Sequence, residues 1–175
     1  MPIRPATPDD AAVLERLIRD CLRESYPGHL GTSADVLRNE VLSRRTSQRV
    51  LLAERSGQAC AFVAWDPVYD LHWASRGAQV ADLYVERHVR GLGIALELVA
   101  ALCASVANNG RVFIRGGAYD RPSTRAFYAR VAVVDPTTGE THLSARAFRH
   151  LASLAGRSPR DILLALPPVE WNWSD

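Results

Sequence analysis

The strongest constraint on the fold comes from one segment, in which an apolar run leads into a glycine-rich loop that opens a helix. Residues 80–85 predict a strand, and the helix that follows the loop at 90–95 extends to about Val106. The first turn of a helix has unpaired N–H groups and a partial positive charge. Gly91 and Gly93 let the backbone approach an anion that a Cβ would hold off. This segment therefore predicts a binding site for a phosphorylated ligand at residues 90–95.

Three kinds of glycine-rich loop bind phosphate groups, and the sequence argues against two of them. A Walker loop needs a lysine after its last glycine, but all 21 of the lysine-plus-arginine residues are arginine. A dinucleotide fingerprint needs a third glycine and an acidic residue about 20 positions later, where this chain has Leu96 and Arg115. The remaining pattern, Arg-x-x-Gly-x-Ala, is formed by Arg90, Gly93 and Ala95. An ordinary strand-to-helix turn stays open as the alternative.

Composition indicates a single domain, or a domain with a tail, of 175 residues. An apolar content of 47% is enough for a normal core. The net charge is only +2 and the arginines are scattered, which does not favour nucleic-acid binding. We expect no membrane segment and no signal peptide. Cys21, Cys60 and Cys103 are widely spaced in apolar surroundings and are typical of buried free thiols, so we expect a cytoplasmic protein.

Hydrophobic spacing and turn residues predict elements on both sides of the glycine-rich segment. The predicted strands cover residues 3–6, 50–54, 59–65, 80–85, 111–115, 131–134 and 141–143. The predicted helices cover residues 8–22, 33–41, 94–106, 123–130 and 145–154. Residues 66–73 read as a loop rich in aspartate and aromatic side chains, and no pattern is clear from Gly156 onward. The order β-α-α-β-β-β-α-β-α-β predicts an α+β domain around one mixed sheet, whose strand order this pattern does not give.

Four segments in the same order resemble the GNAT (GCN5-related N-acetyltransferase) superfamily. They are Ile3-Arg4-Pro5-Ala6-Thr7 with the following helix, residues 50–65, residues 80–96, and Pro122-Ser123-Thr124-Arg125-Ala126-Phe127-Tyr128. Within the superfamily the chain most resembles diamine (spermidine/spermine-type) acetyltransferases, through Asp82-Leu83-Tyr84-Val85, Arg90-Gly91-Leu92-Gly93-Ile94 and the Pro-Ser-x-x-x-Phe-Tyr run. The resemblance implies a mostly antiparallel mixed sheet flanked by helices. It also implies an acetyl-CoA-binding domain at 1–155, with a tail at 156–175 that we expect to dock on the domain or on a second subunit.

The resemblance also assigns roles to residues. In the family, backbone groups of the strand before the loop hold pantetheine and the acetyl carbonyl, and the loop holds the pyrophosphate of coenzyme A. The cofactor-binding residues implied here are Leu83, Tyr84, Val85, Arg90, Gly91, Leu92, Gly93, Ile94, Ala95 and Ser123. Arg90 suits a phosphate because its guanidinium is planar and always charged. Tyr128 matches the tyrosine that protonates the coenzyme A thiolate, although a core aromatic beside Phe127 is the alternative interpretation.

The general base is harder to assign. Diamine acetyltransferases tend to carry an acid at the position where this chain has Ala81. Asp82 is next to it, but strand alternation turns it to the face opposite Leu83 and Val85 unless a β-bulge re-aims it. Other candidates come from the neighbouring strand and the 66–73 loop, and water is a further possible relay. These other candidates are Glu54, Asp66, Asp70 and His72.

These residues predict an enzyme that moves an acetyl group from acetyl-CoA directly to the amine of a small molecule, with no metal. The acidic and aromatic residues at 66–73 favour a cationic acceptor. We expect no nucleic-acid or membrane partner, and a homodimer is possible. A protein amine as acceptor, or a non-catalytic acyl-CoA-binding sensor, are the alternatives. The chain departs from the family pattern at two positions, with Asp120 for asparagine and Ala132 for glycine.

Overall fold

The fold was obtained as a computed structural model, which describes residues 1–29, 31–117, 122–135 and 137–166. The strands are β1 (Ile3–Pro5), β2 (Arg49–Arg55), β3 (Gln58–Asp70), β4 (Ser75–Val85), β5 (Phe113–Gly117), β6 (Val133–Val134) and β7 (Glu140–Ser144). The α-helices are α1 (Ala11–Ser25), α2 (Ala34–Val36), α3 (Ile94–Ala107), α4 (Pro122–Val131), α5 (Ala145–Ser153) and α6 (Pro159–Ala165). Short 3₁₀ turns cover Pro8–Asp10 and Arg87–Val89, and a π-helical stretch covers Leu37–Leu42. Within these ranges, no helix has the length and apolar character that a bilayer crossing requires.

The strands form one seven-stranded sheet in the order β1-β2-β3-β4-β5-β7-β6. Neighbouring strands are antiparallel except β4 and β5, which are parallel. The expectation of a mixed, mostly antiparallel sheet flanked by helices is therefore confirmed. The parallel pair lies in the middle of the sheet, and the glycine-rich loop follows directly from its β4 member.

The prediction of a loop at residues 66–73 is wrong. Residues 66–70 continue β3 to Asp70, and the residues after Asp70 turn into β4. The turn is stabilised by the Asp70 carboxylate, which accepts hydrogen bonds from the backbone N–H of His72 (2.9 Å) and Trp73 (3.1 Å). Pairing of β3 with β2 ends at Trp65, so β3 is an edge strand beyond that point. An edge tolerates Pro67, which the sequence pattern suggested as a loop residue.

Two hydrophobic layers cover the two faces of the sheet. One contains α1 and the π-helical stretch, which pack on a face that includes Phe62 and Tyr84. The other contains α3 and α5 on the opposite face. Helix α6, absent from the sequence prediction, joins this second layer through Ile162, which is fully buried. Residues up to Leu166 therefore share one core with the rest of the domain, while residues 167–175 and Asp120 lie outside the described residues.

Candidate active site

The parallel strands β4 and β5 separate after a short contact. Their described ladder contains only the pairs Ala78 with Ile114 and Gln79 with Arg115. Beyond it, β4 continues to Val85 while β5 pairs with β7 on its other edge. The backbone of β4 at residues 81–85 therefore has no ladder partner on the described part of β5. We call this gap the wedge. Since buried backbone groups need hydrogen-bond partners, the wedge suits an extended ligand that carries amide groups.

A β-bulge lies at the point where the wedge opens. Ala64 pairs with Asp82, whereas Trp65 pairs with Val80, which leaves Ala81 as the extra residue of β4. The bulge explains why Val80 and Leu83, three positions apart, both pack on the α3 side of the sheet. Asp82 lies on the other side, where α1 packs.

A cavity of about 670 Å³ runs from the wedge to the end of α1. Its described lining combines β4 residues 81–85, the glycine-rich loop, α4 and α1. Of the predicted site residues, those that line it are Asp82, Leu83, Tyr84, Val85, Arg90, Gly91, Gly93, Ile94, Ala95 and Tyr128. Leu92 is outside the lining and 48% exposed. Ser123 lies in α4, but its side chain is not among the described ones.

The glycine-rich loop has the backbone that an anion site at a helix mouth requires. Gly91 and Gly93 have φ values of +79° and +82°, in the left-handed region that favours glycine. The Gly93 carbonyl accepts the first hydrogen bonds of α3, from the N–H of Leu96 (3.0 Å) and Glu97 (3.2 Å). The earlier N–H groups of Ile94 and Ala95 have no acceptor within the described chain. These two donors line the cavity at the positive end of the helix dipole.

Gly93 is constrained by space as well as by its backbone angles. A Cβ at this position would lie 2.2 Å from the Cβ of Pro159, at the start of α6. A Cβ at Gly91 would meet nothing within 4 Å. Helix α6 thus packs directly on the loop, and its residue Leu163 lines the cavity together with Leu166, which follows the helix.

Arg90 does not extend freely into solvent. Its Nε donates to the Val85 carbonyl (2.8 Å), and its Nη2 donates to both carboxylate oxygens of Glu24 (3.0 and 2.9 Å). Its guanidinium also lies 5.6 Å from the centroid of the Tyr84 ring. The side chain is therefore held in one position, and only its Nη1 has no acceptor among the described residues. A fixed Arg with one free N–H pair can bind a phosphate oxygen with little loss of conformational entropy.

Glu24 is a site residue that the sequence reasoning missed. Besides Arg90, its carboxylate accepts a hydrogen bond from the Tyr84 hydroxyl (3.1 Å) and pairs with Arg87 (3.1 Å). Burial by itself would raise the pKa of Glu24, but these hydrogen bonds outweigh it and hold the pKa below its ordinary value. One carboxylate thus faces two guanidinium groups, which leaves a positive surplus beside the loop. No local signal identifies Glu24, since its partners lie 60 or more residues away in sequence.

Tyr128 and Asp82 line the same cavity from different sides of β4. Tyr128 packs edge-on against Phe127, at 5.2 Å between ring centroids, and partly against the α3-side core. Burial raises the pKa of Tyr128, so its hydroxyl is protonated at neutral pH and available as a proton donor. Asp82 is open to the cavity, yet crowding by protein atoms raises the pKa of its carboxyl through desolvation. A carboxylate with a raised pKa is a stronger base than an ordinary one.

The other carboxylates considered as bases have structural partners elsewhere. Glu54 pairs with Arg4, Asp66 accepts from Ser47 and Gln48, and Asp70 pairs with Arg115 at 3.0 Å. Neither these residues nor His72 belong to the described lining of the cavity. None of the four therefore contributes to the described wall of the cavity, whose carboxylates are Asp82 and Glu24.

Comparison with known proteins gives a family match and several structures with a similar fold. A model of the acetyltransferase (GNAT) family matches residues 13–132. The comparison with curated proteins gave no match. Among solved structures, ribosomal-protein-alanine N-acetyltransferase from Brucella melitensis biovar Abortus 2308 is 21% identical, with a TM-score of 0.64 over 78% of this chain and 94% of that chain.

Two further solved structures have the same fold. An aminoglycoside acetyltransferase from an uncultured soil metagenomic sample is 20% identical, with a TM-score of 0.64 over 77% of this chain and 91% of its own. An integron cassette protein from the mobile metagenome of V. cholerae is 18% identical, with a TM-score of 0.67 over 86% and 96%. At these identities the likeness shows the fold alone, and the diamine subgroup expected from the sequence is not confirmed. Because the family match covers more than half of the sequence and the wedge, loop and α4 lie in the order expected, the chain belongs to the acetyltransferase (GNAT) family.

Proposed function

We propose that this protein transfers an acetyl group from acetyl-CoA to an amine of a small cationic molecule. One observation carries the proposal. A single cavity combines a helix mouth with free N–H donors, a wedge with unpaired strand backbone, a protonated tyrosine and a carboxylate with a raised pKa. Acetyl transfer makes three demands. The helix mouth and the wedge hold the thioester, the tyrosine protonates the leaving thiolate, and the carboxylate neutralises the amine.

The helix mouth supports binding of the coenzyme A diphosphate. The N–H groups of Ile94 and Ala95 and the Nη1 of Arg90 are donors with no acceptor in the described chain. In the wedge, the backbone of residues 83–85 can pair with the amides of pantetheine as a strand would. The Val85 carbonyl already accepts from Arg90, and the backbone of Tyr84 faces β3, since the Glu86 N–H two residues further on donates to the Cys60 carbonyl of that strand, so we assign pantetheine mainly to Leu83.

In the proposed transfer, two ionisable side chains, Tyr128 and Asp82, move the protons. The neutral amine attacks the thioester carbon, a C–N bond forms, and the C–S bond breaks to release the thiolate. Tyr128 donates its proton to that sulfur and regains a proton from the acylated nitrogen, which thereby becomes the neutral amide. Asp82 accepts the proton that the ammonium loses, directly or through water. Keeping an amine with a pKa of about 10.4 neutral at pH 7.4 costs about 4 kcal/mol, which a nearby base lowers.

A cationic acceptor is supported by the end of the cavity that is remote from the loop. Asp82 lies there, three residues or about 10 Å along β4 from Val85, and a carboxylate attracts an ammonium group. Asp70, an acidic residue of the 66–73 segment that favours a cationic acceptor in the sequence, is too distant to contribute. Asp70 is six residues along β3 from the partner of Asp82, or about 20 Å.

A protein amine is the second candidate, because one structural neighbour is named a ribosomal-protein-alanine N-acetyltransferase. A thiol-release assay with acetyl-CoA decides between them, with a polyamine, an aminoglycoside and a peptide that begins with alanine as acceptors. We expect turnover with the two small cationic amines and little with the peptide. The Tyr128→Phe variant is the control for enzymatic release. Coenzyme A binding without turnover on any amine would instead favour a sensor, and the proposed homodimer is tested by sedimentation.

A further inference from the structure

A second, smaller cavity lies at the apex of the wedge, where β4 and β5 come together. Its lining includes Val80 and Leu83 of β4, Ile114 of β5, Val99 of α3, and Tyr128 and Ala132 in and after α4. We call it the apex pocket. It has a volume of about 20 Å³, enough for one water-sized group. Because its walls are mainly apolar, a methyl or methylene group suits it better than water does.

The apex pocket adjoins the main cavity. Leu83, Tyr128 and Val131 line both spaces, so these side chains form the boundary between them. Tyr128 is the residue to which the proposed reaction assigns protonation of the thiolate. The pocket is therefore next to the position where the acyl carbon and sulfur react.

The direction of the wedge places the acyl end of the ligand at this pocket. The wedge is open at Val85, beside the glycine-rich loop, and closes at Gln79, where β4 and β5 pair. From Val85 to Val80 a strand rises about 17 Å. A linear thioester that is anchored by its diphosphate at the loop and extended along β4 thus has its acyl group pointing to the apex.

We propose that the apex pocket holds the distal carbon of the acyl group, so that the enzyme uses propionyl-CoA as well as acetyl-CoA and discriminates against butyryl-CoA. This inference rests on the proposed function. The chemistry is unchanged: the amine nitrogen bonds to the acyl carbon and loses a proton, the C–S bond breaks, and the sulfur takes up a proton. The limit follows from the volume, since a space for one group takes one carbon beyond acetyl and not two.

The test compares acyl donors at one fixed amine, as ratios of kcat/KM within each protein. Ratios are independent of the active fraction, so a loss of folded protein does not affect them. Ala132→Val adds two methyl groups at the pocket wall, and Val99→Ala removes two from it. Ala152→Val makes the same addition at a half-buried position on α5 that is not in the pocket lining, and is the matched control.

In the wild type and the Ala152→Val control we expect kcat/KM for propionyl-CoA within about threefold of that for acetyl-CoA, and butyryl-CoA at least about tenfold lower. Ala132→Val should lower the propionyl-to-acetyl ratio about tenfold or more, because the added methyl groups occupy the space. Val99→Ala should raise the butyryl-to-acetyl ratio by a similar factor. Equal ratios in all four proteins would overturn the inference.

Binding separates failure of this inference from failure of the proposed function. If no amine is acylated, the proposed function is wrong, but the pocket is still tested by calorimetry with the acyl-CoA esters. One methylene buried in the pocket makes propionyl-CoA bind roughly fourfold more tightly than acetyl-CoA, the factor that corresponds to about 0.8 kcal/mol. We expect Ala132→Val to abolish that difference. Equal wild-type affinities for the two esters would refute the pocket as an acyl site.

Discussion

Replacement of Gly93 by alanine tests how the loop, helix α3 and helix α6 are assembled. Gly93 has a φ of +82°, and an added Cβ would lie 2.2 Å from the Cβ of Pro159. The left-handed backbone costs a residue with a Cβ about 1–2 kcal/mol. Relieving the overlap with Pro159 adds about 1–3 kcal/mol, as other overpacked sites do. Gly93→Ala should therefore lower the free energy of unfolding by about 2–5 kcal/mol.

Gly91→Ala is the matched control, because Gly91 has a similar φ of +79° and open space around its Cα. It should lower the free energy of unfolding by only about 1–2 kcal/mol, the backbone contribution alone. Urea unfolding at pH 7 measures both variants. The difference between them reports the contact with Pro159.

A double-mutant cycle with Pro159→Gly isolates that contact, since glycine removes the Cβ that the new side chain would meet. In the Pro159→Gly background, the cost of Gly93→Ala should fall to that of Gly91→Ala. If Gly93→Ala is no more destabilising than Gly91→Ala in the wild-type background, α6 does not pack on the loop as described.

Three further predictions address the chemistry and the charges. Tyr128→Phe should lower kcat about 10²-fold or more, as loss of a general acid does, and leave the calorimetric Kd of acetyl-CoA nearly unchanged; unchanged turnover would remove the assignment. Glu24→Gln should lower the free energy of unfolding at pH 7 by about 1–3 kcal/mol, because Arg90 loses a charged acceptor. Since the folded-state pKa of Glu24 is lowered, that difference is present above pH 4.3 or so and is lost on further acidification; a difference that persists in acid would contradict it. Burial lowers the pKa of His142 to about 4, so the wild type should lose up to about 3 kcal/mol relative to His142→Phe as the pH falls from about 6.5 to 4. If the free energies of unfolding of these two proteins change equally with pH across this range, His142 is not buried in its neutral form.

The local chemistry of the loop could be predicted from the sequence because short-range rules determine it. Gly91 and Gly93 have the positive φ values that the pattern requires, and α3 begins directly after Gly93. Ser33 likewise starts α2, where its hydroxyl accepts from the Val36 N–H. In each case the decisive contacts join residues a few positions apart, so the order of residue types is sufficient.

Contacts between distant segments could not be predicted in this way. The Arg90 to Glu24 ion pair joins residues 66 positions apart, and the contact of Gly93 with Pro159 joins residues equally far apart. Helix α6 itself had a local signal, the Ser158-Pro159 cap with its hydrogen bond from the Asp161 N–H. The position of α6 over the glycine-rich loop had no local signal, because that position depends on tertiary packing.

The 66–73 hairpin shows how a local rule can mislead. Aspartates, a proline and aromatic residues suggest a loop, but the edge position of β3 beyond Trp65 tolerates Pro67 in the ladder. The error placed three candidate bases, Asp66, Asp70 and His72, beside a cleft whose described lining contains none of them. Asp82 lies on the face opposite Leu83, as strand alternation predicts, and among the strand carboxylates of the described residues it is the one that lines the cavity.

The central claim is that the mouth of α3 binds the diphosphate of coenzyme A, and calorimetry with two ligands tests it most directly. Coenzyme A carries the diphosphate and pantetheine lacks it, while both carry the amides that suit the wedge. We expect coenzyme A to bind at least about 100-fold more tightly than pantetheine, since charge-assisted hydrogen bonds contribute about 1.5–3 kcal/mol each. Equal affinities for the two ligands, or no heat with coenzyme A, would contradict a diphosphate site at this helix.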